Sequence, residues 1–285
     1  MATNTRLIKR RIKSAQNIAK ITKAMEMVSA SKMRRAQEAV TRSRPYAEKL
    51  AASLNEIATH TDPSAHPLLQ TSAAGVPLLI LVSTDRGLCG GLNTNLFKAT
   101  LEFIEQNPDT QVLVIGRKGQ DFAVRSGLQI IASFVDMPNT LKFQDILPIL
   151  EIATPGFLNG SYSKVYIAHM KFISTLSQQV SFTQLLPFSQ EFETETEIKS
   201  EYLFEPSAAV ILNRLLPAYL ETMMYQVMLD ARASEHSARM ITMQNASNNA
   251  RDVVSSLNLE YNKGRQASIT QELLEINTAL LALTG

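Results

Sequence analysis

The chain has 285 residues, 45% of them hydrophobic and 19% charged, with a mean hydropathy of −0.04. That is enough apolar material for one or two domains, but no run of about 18 apolar residues occurs that could cross a membrane as a helix. The formal charge is only +2, yet it is unevenly spread: residues 1–50 carry thirteen Lys/Arg against Glu26, Glu38 and Glu48, so the rest is net acidic. A basic segment of this kind attracts an anionic partner: nucleic acid, lipid headgroups or an acidic protein surface.

The basic start, 1–13, has no apolar stretch after it and does not read as a secretory signal. The helical pattern continues past residue 30, which favours mature structure over a removable leader. From Thr5 to about Thr59 there is no glycine, and Pro45 is the only proline. Ile8, Ile12, Ala15, Ile18, Ile21, Met25 and Val28 recur at steps of three and four, which predicts one apolar stripe on a long helix. Pro45 permits a kink. Unbroken, the helix would reach roughly 80 Å, too long to be buried in a globule.

Thr61–Gly75 is rich in Pro, Ser and Thr and predicts a linker. Pro77–Val82 predicts a buried strand, and Asn93–Gln106 a helix with Asn93 as its cap. Val112–Ile115, a short helix Lys118–Arg125, a strand Leu128–Phe134 and a broken helix Asp145–Leu158 follow, the last interrupted by Pro148 and Pro155. Lys164–His169 and Gln179–Leu186 predict two final strands. Alternating strand and helix argue an α/β domain on a mainly parallel sheet.

Phe188–Lys199 is acidic and polar and predicts an exposed connection. Ala208–Leu216 predicts a short amphipathic helix, and Pro217 the first turn of a new one. From there to Leu283 Gly264 is the only glycine. The expected seam is Met240, Met243, Ala246, Ala250, Val253 and Leu257, then Ile269, Leu273, Ile276 and Leu280, at coiled-coil spacing. The expected organisation is therefore 1–60 N-terminal helix, 61–75 linker, 76–200 α/β domain of Rossmann-like type and 201–285 short helix and C-terminal helix. Both terminal helices exceed what the domain can cover, so they bury their stripes against each other as an antiparallel coiled coil. The seam is rich in Ala, Ser, Thr and Met and buries little area, so a thin rod of this kind needs a surrounding partner.

Three segments carry a resemblance: ITKAMEMVSASKMRRAQ at Ile21–Gln37, STDRGLCGGLN at Ser83–Asn93, and ASEHSARMITMQNA at Ala233–Ala246, continuing to YNKGRQASITQELLEI at Tyr261–Ile276. Together with the helix–domain–helix order, they make the chain resemble the gamma subunits of F-type (rotary) ATP synthases over essentially its whole length. The resemblance implies a non-catalytic central-stalk rotor subunit, present once per complex. Its paired helices would enter a hexamer of alpha and beta subunits, and its α/β domain would touch the c-subunit ring and the epsilon subunit. Such a chain couples ion translocation to ATP synthesis or hydrolysis. It is peripheral to the membrane, on the cytoplasmic face of a bacterial plasma membrane.

The resemblance also implies contact residues. Lys23 and Met25 would lie where an acidic beta loop meets the shaft, with Lys32, Arg34 and Arg35 facing an acidic collar. Arg265 and Gln266, with Thr270 and Glu272, would form a polar catch to a beta loop. The residues alone leave coiled-coil packing open for Met25, Met27 and Met33, and a solvated face open for the charges. No catalytic residue, metal site or cofactor is expected. The four histidines lack metal-ligand spacing, and Cys89 reads as a small buried hydrophobe. Arg86–Leu92 stands where a dinucleotide loop would lie but is neither GxGxxG nor a P-loop, which counts against an NAD-type enzyme. A basic nucleic-acid binder is the other alternative; the acidic balance of residues 51–285 and the lack of a reading motif count against it.

Overall fold

The computed structural model describes residues 2–59, 66–70, 75–138, 140–188 and 208–284. Residue 60, residues 61–65 and 71–74 of the expected linker, and nearly all of the acidic connection after Phe188 lie outside the described residues. Helix α1 spans Ala2–Thr59 and helix α5 spans Ala208–Thr284. Between them come strands β1 (Val76–Val82), β2 (Gln111–Ile115), β3 (Ile130–Phe134), β4 (Tyr162–Phe172) and β5 (Gln178–Leu186), and helices α2 (Leu92–Gln106), α3 (Arg117–Arg125) and α4 (Leu147–Leu158). Contacts divide the chain into two units, residues 1–30 with 239–285, and residues 31–238.

The unit of residues 31–238 is built on a five-stranded sheet of order β3-β2-β1-β4-β5. Its first three pairings are parallel and β4–β5 is antiparallel. The buried run Leu78–Val82 alternates sides with the strand period of two. Leu78, Ile80 and Val82 join a core containing α4 and the unit's parts of α1 and α5. Leu79 and Leu81 join a core with Leu92 and Leu96 of α2 and Ala123 of α3. Both faces are covered, as a mainly parallel sheet requires.

Several boundaries differ from expectation for local reasons. Helix α2 starts at Leu92 with Gly91 as its N-cap and no side-chain cap. The Asn93 amide instead donates to Thr84 Oγ1 at 2.7 Å and reaches Cys89 Sγ at 3.5 Å, pinning the loop behind it. Asp145 belongs to a separate 3-10 turn; in α4 Pro148 falls in the first turn, where no N–H bond is due, and Pro155 lies inside the helix without ending it. Pro217 opens no new helix but lies inside α5. The bond its ring deletes is offset by burial of Leu212, Leu216, Tyr219 and Leu220 around it.

Ser83 fastens the end of β1 to the β2–α3 turn. Its hydroxyl donates to the Ile115 carbonyl at 2.9 Å and accepts from the Gly119 N–H at 2.7 Å. Gly116, in that turn, has φ +95°, and a Cβ there would stand 2.5 Å from the Ser83 carbonyl oxygen. Gly116→Ala combines a left-handed backbone with a collision against main chain, so it should cost about 2–3 kcal/mol, or fold incompletely. The midpoint of urea unfolding checks this.

His169 in β4 is buried, with no hydrogen bond to Nδ1. Burial, with Lys171 nearby, pushes its pKa down to about 4. The unfolded chain takes up that proton below about pH 6.5, whereas the folded domain does so only near pH 4. Stability should therefore fall as pH drops between those values, on the order of 3 kcal/mol in all. Burial also lowers His66, which acts with the same sign. Asp230, raised chiefly by burial, acts with the opposite one. A His169→Gln variant should show a flatter loss of urea resistance between pH 7 and pH 4.5 than the parent.

In the unit of residues 1–30 with 239–285, two helical segments pack along one seam. The seam positions, all buried or half-buried, are Ile8, Ile12, Ala15, Ala19, Thr22, Glu26 and Ser29 on α1 and Met243, Ser247, Ala250, Val254, Leu257, Tyr261, Gly264 and Ser268 on α5. Both sets alternate steps of four and three, the 3.5-residue period of a coiled coil. Ser247 Oγ donates to the Ala19 carbonyl at 3.3 Å. That bond joins the middle of the first seam to the second position of the other.

Beyond Ala15 this seam corrects the expected stripe. Ile18, Ile21 and Val28 are about half exposed or more, while Ala19, Thr22 and Ser29 face the partner helix. The expected stripe advanced by about 3.3 residues per step and drifted off the contact line, because it followed large apolar residues and not the period. On α5, Val254 takes the place of the exposed Val253, while Ser247 is buried beside the half-buried Ala246. Ile269, Leu273, Ile276 and Leu280 are all exposed. Counting from the Ala19–Ser247 contact, the start of α1 lies opposite about Gly264, short of these positions.

Candidate functional site

The expected contact residues sit on helix surfaces, not in a cleft. In the unit of residues 1–30 with 239–285, Lys23 is half-buried and donates to Glu26 at 2.9 Å, one turn on. That pairing holds Glu26 on the seam without leaving its carboxylate alone. Met25 is half-buried beside it. Arg265, Gln266, Thr270 and Glu272 are exposed, and the Thr270 hydroxyl is satisfied by the Gln266 carbonyl at 3.0 Å. By the seam's register, Lys23 lies opposite Met243, about 22 residues before Arg265. The two groups are thus separated by roughly 33 Å along the pair. They form two levels of one surface and are not brought together.

Arg34 and Arg35 belong to the unit of residues 31–238 and are exposed there. Arg35 Nη2 donates to Ser31 Oγ at 3.3 Å. Arg34 borders a shallow depression with Gln37, Glu38, Thr41 and Arg42. Both arginines keep guanidinium N–H groups turned to solvent.

Reading by residue size missed a further feature of α1. Ile18, Ile21, Met27 and Val28 expose 50–60% of their surface, and Ile18, Ile21, Met25 and Val28 form a second stripe at coiled-coil spacing beside the seam. An outward apolar stripe on a helix that has already buried another is a surface awaiting a partner. Strict counting at 3.5 residues separates the two stripes in the sequence.

The carboxyl ends of β1 and β4, where a doubly wound sheet binds its ligand, hold no ligand site. Residues Met228–Glu235 of α5 lie over the crevice and leave a cavity of about 20 Å³. That is room for about one water, against ~300–1,000 Å³ for small-molecule pockets. Arg232 fills the space. Its guanidinium donates to Glu235 at 3.2 Å and to the Met137 carbonyl at 3.0 Å, and stands 4.0 Å from Asp85. Asp85 Oδ1 accepts the N–H groups of Arg117 and Asp136 at 3.1 and 3.0 Å. Ser234 and Ser237 donate to the Met170 and Thr175 carbonyls at the end of β4. The Ser83–Asn93 and Ala233–Ala246 segments therefore meet each other: one supplies Asp85, the other closes the crevice. Cys89 is buried, and no cluster of metal-ligating side chains occurs among the described residues.

A sequence model described as ATP synthase matches residues 4–283. The "ATP synthase gamma chain" of Geotalea uraniireducens is 41% identical over 282 residues, covering 98% of both chains. That of Dehalococcoides mccartyi is 42% identical over 284 residues, covering 98% of this chain and 99% of its own. Among solved structures, a chain of the Tetrahymena thermophila mitochondrial ATP synthase central stalk and c-ring is 25% identical at TM-score 0.60, covering 80% of this chain and 99% of its own. A chain of the Euglena gracilis mitochondrial ATP synthase shares the fold at TM-score 0.69 and 19% identity, over 99% of this chain and 95% of its own. With two helices paired at residues 1–30 and 239–285, a sheet domain whose crevice is closed, and relatives matched from end to end, the chain belongs to the ATP synthase gamma chain family, a non-catalytic central-stalk component.

Proposed function

We propose that the chain works as the rotor shaft of an F-type ATP synthase, in a single copy per complex. Its paired ends turn inside a hexamer of alpha and beta subunits, and its sheet domain docks on the c-subunit ring and the epsilon subunit. Ion flow turns the ring, the shaft turns with it, and contacts that differ with rotor angle bias each catalytic site in turn. The nucleotide chemistry belongs to the hexamer. The complex holds the chain at the cytoplasmic face of a bacterial plasma membrane, as a peripheral component.

The observation that carries this reading is the outward apolar surface at residues 269–280. Ile269, Leu273, Leu274, Ile276 and Leu280 are 49–62% exposed on the surface of α5. A surrounding sleeve is what such a segment needs. Lys23, Met25, Arg34 and Arg35 present positive charge and a soft apolar tip to acidic beta loops. Arg265 and Gln266, backed by Thr270 and Glu272, engage one loop at the far level.

The test is reconstitution with the alpha–beta hexamer and the membrane sector. The double variant Arg265→Ala/Gln266→Ala should lower gradient-driven ATP synthesis roughly tenfold, equivalent to ~1.4 kcal/mol, with helix content unchanged. Unaltered synthesis would remove these two residues from the contact. Failure of a tagged chain to bring down alpha, beta and epsilon subunits would overturn the shaft reading itself.

A further inference from the structure

The unit of residues 31–238 contains a second cavity, of about 130 Å³, between α1, the Thr140–Leu141 segment and α5. On the measure by which the crevice cavity holds about one water, this one holds several, room enough for the five heavy atoms of a phosphate. Lys32, Arg35, Arg232 and His236 line it, with the Thr140 hydroxyl, and its other walls are alanine and leucine side chains. No carboxylate is among its lining residues. His236 is buried, and the Arg232 side chain is only 15% exposed. An anion entering here would meet cationic donors from two helices across an apolar floor, where screening by water is weak. Arg232 is committed on one side to Glu235 and Asp85, which fixes its guanidinium at the cavity wall and so pre-organises it.

We infer that this cavity is a binding site for a phosphate-class oxyanion, either free inorganic phosphate or the terminal phosphoryl group of a nucleotide. Phosphate is favoured over a carboxylate because the lining offers lysine, arginine and hydroxyl donors from α1, α5 and Thr140, more than the two oxygens of one carboxylate can engage. Arg35 and Lys32 on α1 close the side facing solvent; Arg232 and His236 on α5 form the inner side. The cavity lies wholly within this chain and shares Arg35 with the contact surface of the shaft reading, and titration of the chain by itself tests the cavity separately.

The experiment titrates the purified full chain with inorganic phosphate at constant ionic strength against chloride, followed by calorimetry and by thermal unfolding. Saturable binding and a rise in unfolding temperature specific to phosphate are expected. Arg35→Gln and Lys32→Gln, both changes at the outer side, should each weaken binding at least about tenfold. Lys98→Gln, a highly exposed position elsewhere in the domain, should leave binding intact. Displacement of phosphate by ATP would identify a nucleotide-borne phosphoryl group as the ligand; indifference to ATP would identify free phosphate. Equal effects of phosphate and chloride, equal occupancy by acetate, or undiminished binding in both α1 variants would overturn the site.

Discussion

Deleting residues 269–285 should leave the thermal unfolding midpoint of the isolated chain within about 3 °C of the parent, yet reduce ATP-driven proton pumping by the reconstituted complex at least about tenfold. The two halves of this expectation have one cause. Ile269, Leu273, Leu274, Ile276 and Leu280 are exposed in the chain alone, so removing them forfeits almost no buried area and no seam contact. Once a sleeve closes around them, those five side chains, about half exposed, offer a gross burial of about 4–8 kcal/mol, before the costs of association are met. A fall in unfolding temperature of about 10 °C or more would mean that the segment packs against the chain's own helices. Normal pumping would mean that the shaft is gripped below residue 269, along the seam-paired stretch that carries Ile18, Ile21 and Val28.

The same residues show what could be read before the structure. The alternation of buried strands with helices, from Pro77 to Leu186, was legible because fully buried strands such as LLILV are compositionally unmistakable and Gly116 and Gly127 punctuate them. The edges of elements were less so. Asn93 is a good cap by type, but its amide is taken by Thr84 and Cys89 in a tight loop. Pro217 reads as a helix start because its ring deletes a backbone bond, and only the long-range packing of Leu216 and Tyr219 keeps the helix continuous. Likewise the seams were misread where large side chains point outward. In most proteins Ile18 and Ile21 would mark the buried face and Ala19 and Thr22 the wet one. Here the order is inverted, since small residues let two helices approach while the large ones are kept for a surface outside the chain. Neither a size scale nor a hydropathy scale contains that inversion; the 3.5-residue period does.

Contacts carried by pairs distant in sequence were not legible at all. Nothing local connects Asp85, in the Ser83–Asn93 segment, with Arg232, which immediately precedes the Ala233–Ala246 segment. The glycine-rich turn after β1 sets Asp85 at the mouth of the sheet, where Arg117 and Asp136 N–H groups hold one of its oxygens. The other oxygen and Glu235 then require a cation, and α5 brings Arg232 across.

Arg232→Ala should accordingly destabilise the domain by about 3–5 kcal/mol, among the largest effects expected of any single replacement here. The substitution removes a cation whose side chain is 15% exposed and leaves Asp85 and Glu235, at 13% and 7%, as neighbouring carboxylates in a space that excludes water. It also strips a donor from the Met137 carbonyl. Arg232→Lys keeps the charge but cannot span Glu235, Asp85 and Met137 at once, because an ammonium lacks the planar fork of a guanidinium, so it should recover part of the loss and not the whole. Relief of the carboxylate repulsion offers a sharper check than the midpoint alone. In Arg232→Ala/Glu235→Gln, the remaining buried charge is a single Asp85 already stabilised by two N–H groups, and at least about 1 kcal/mol should return. Additive losses in that double variant would show that Arg232 acts through packing of its alkyl chain over the crevice, with its charge of little account.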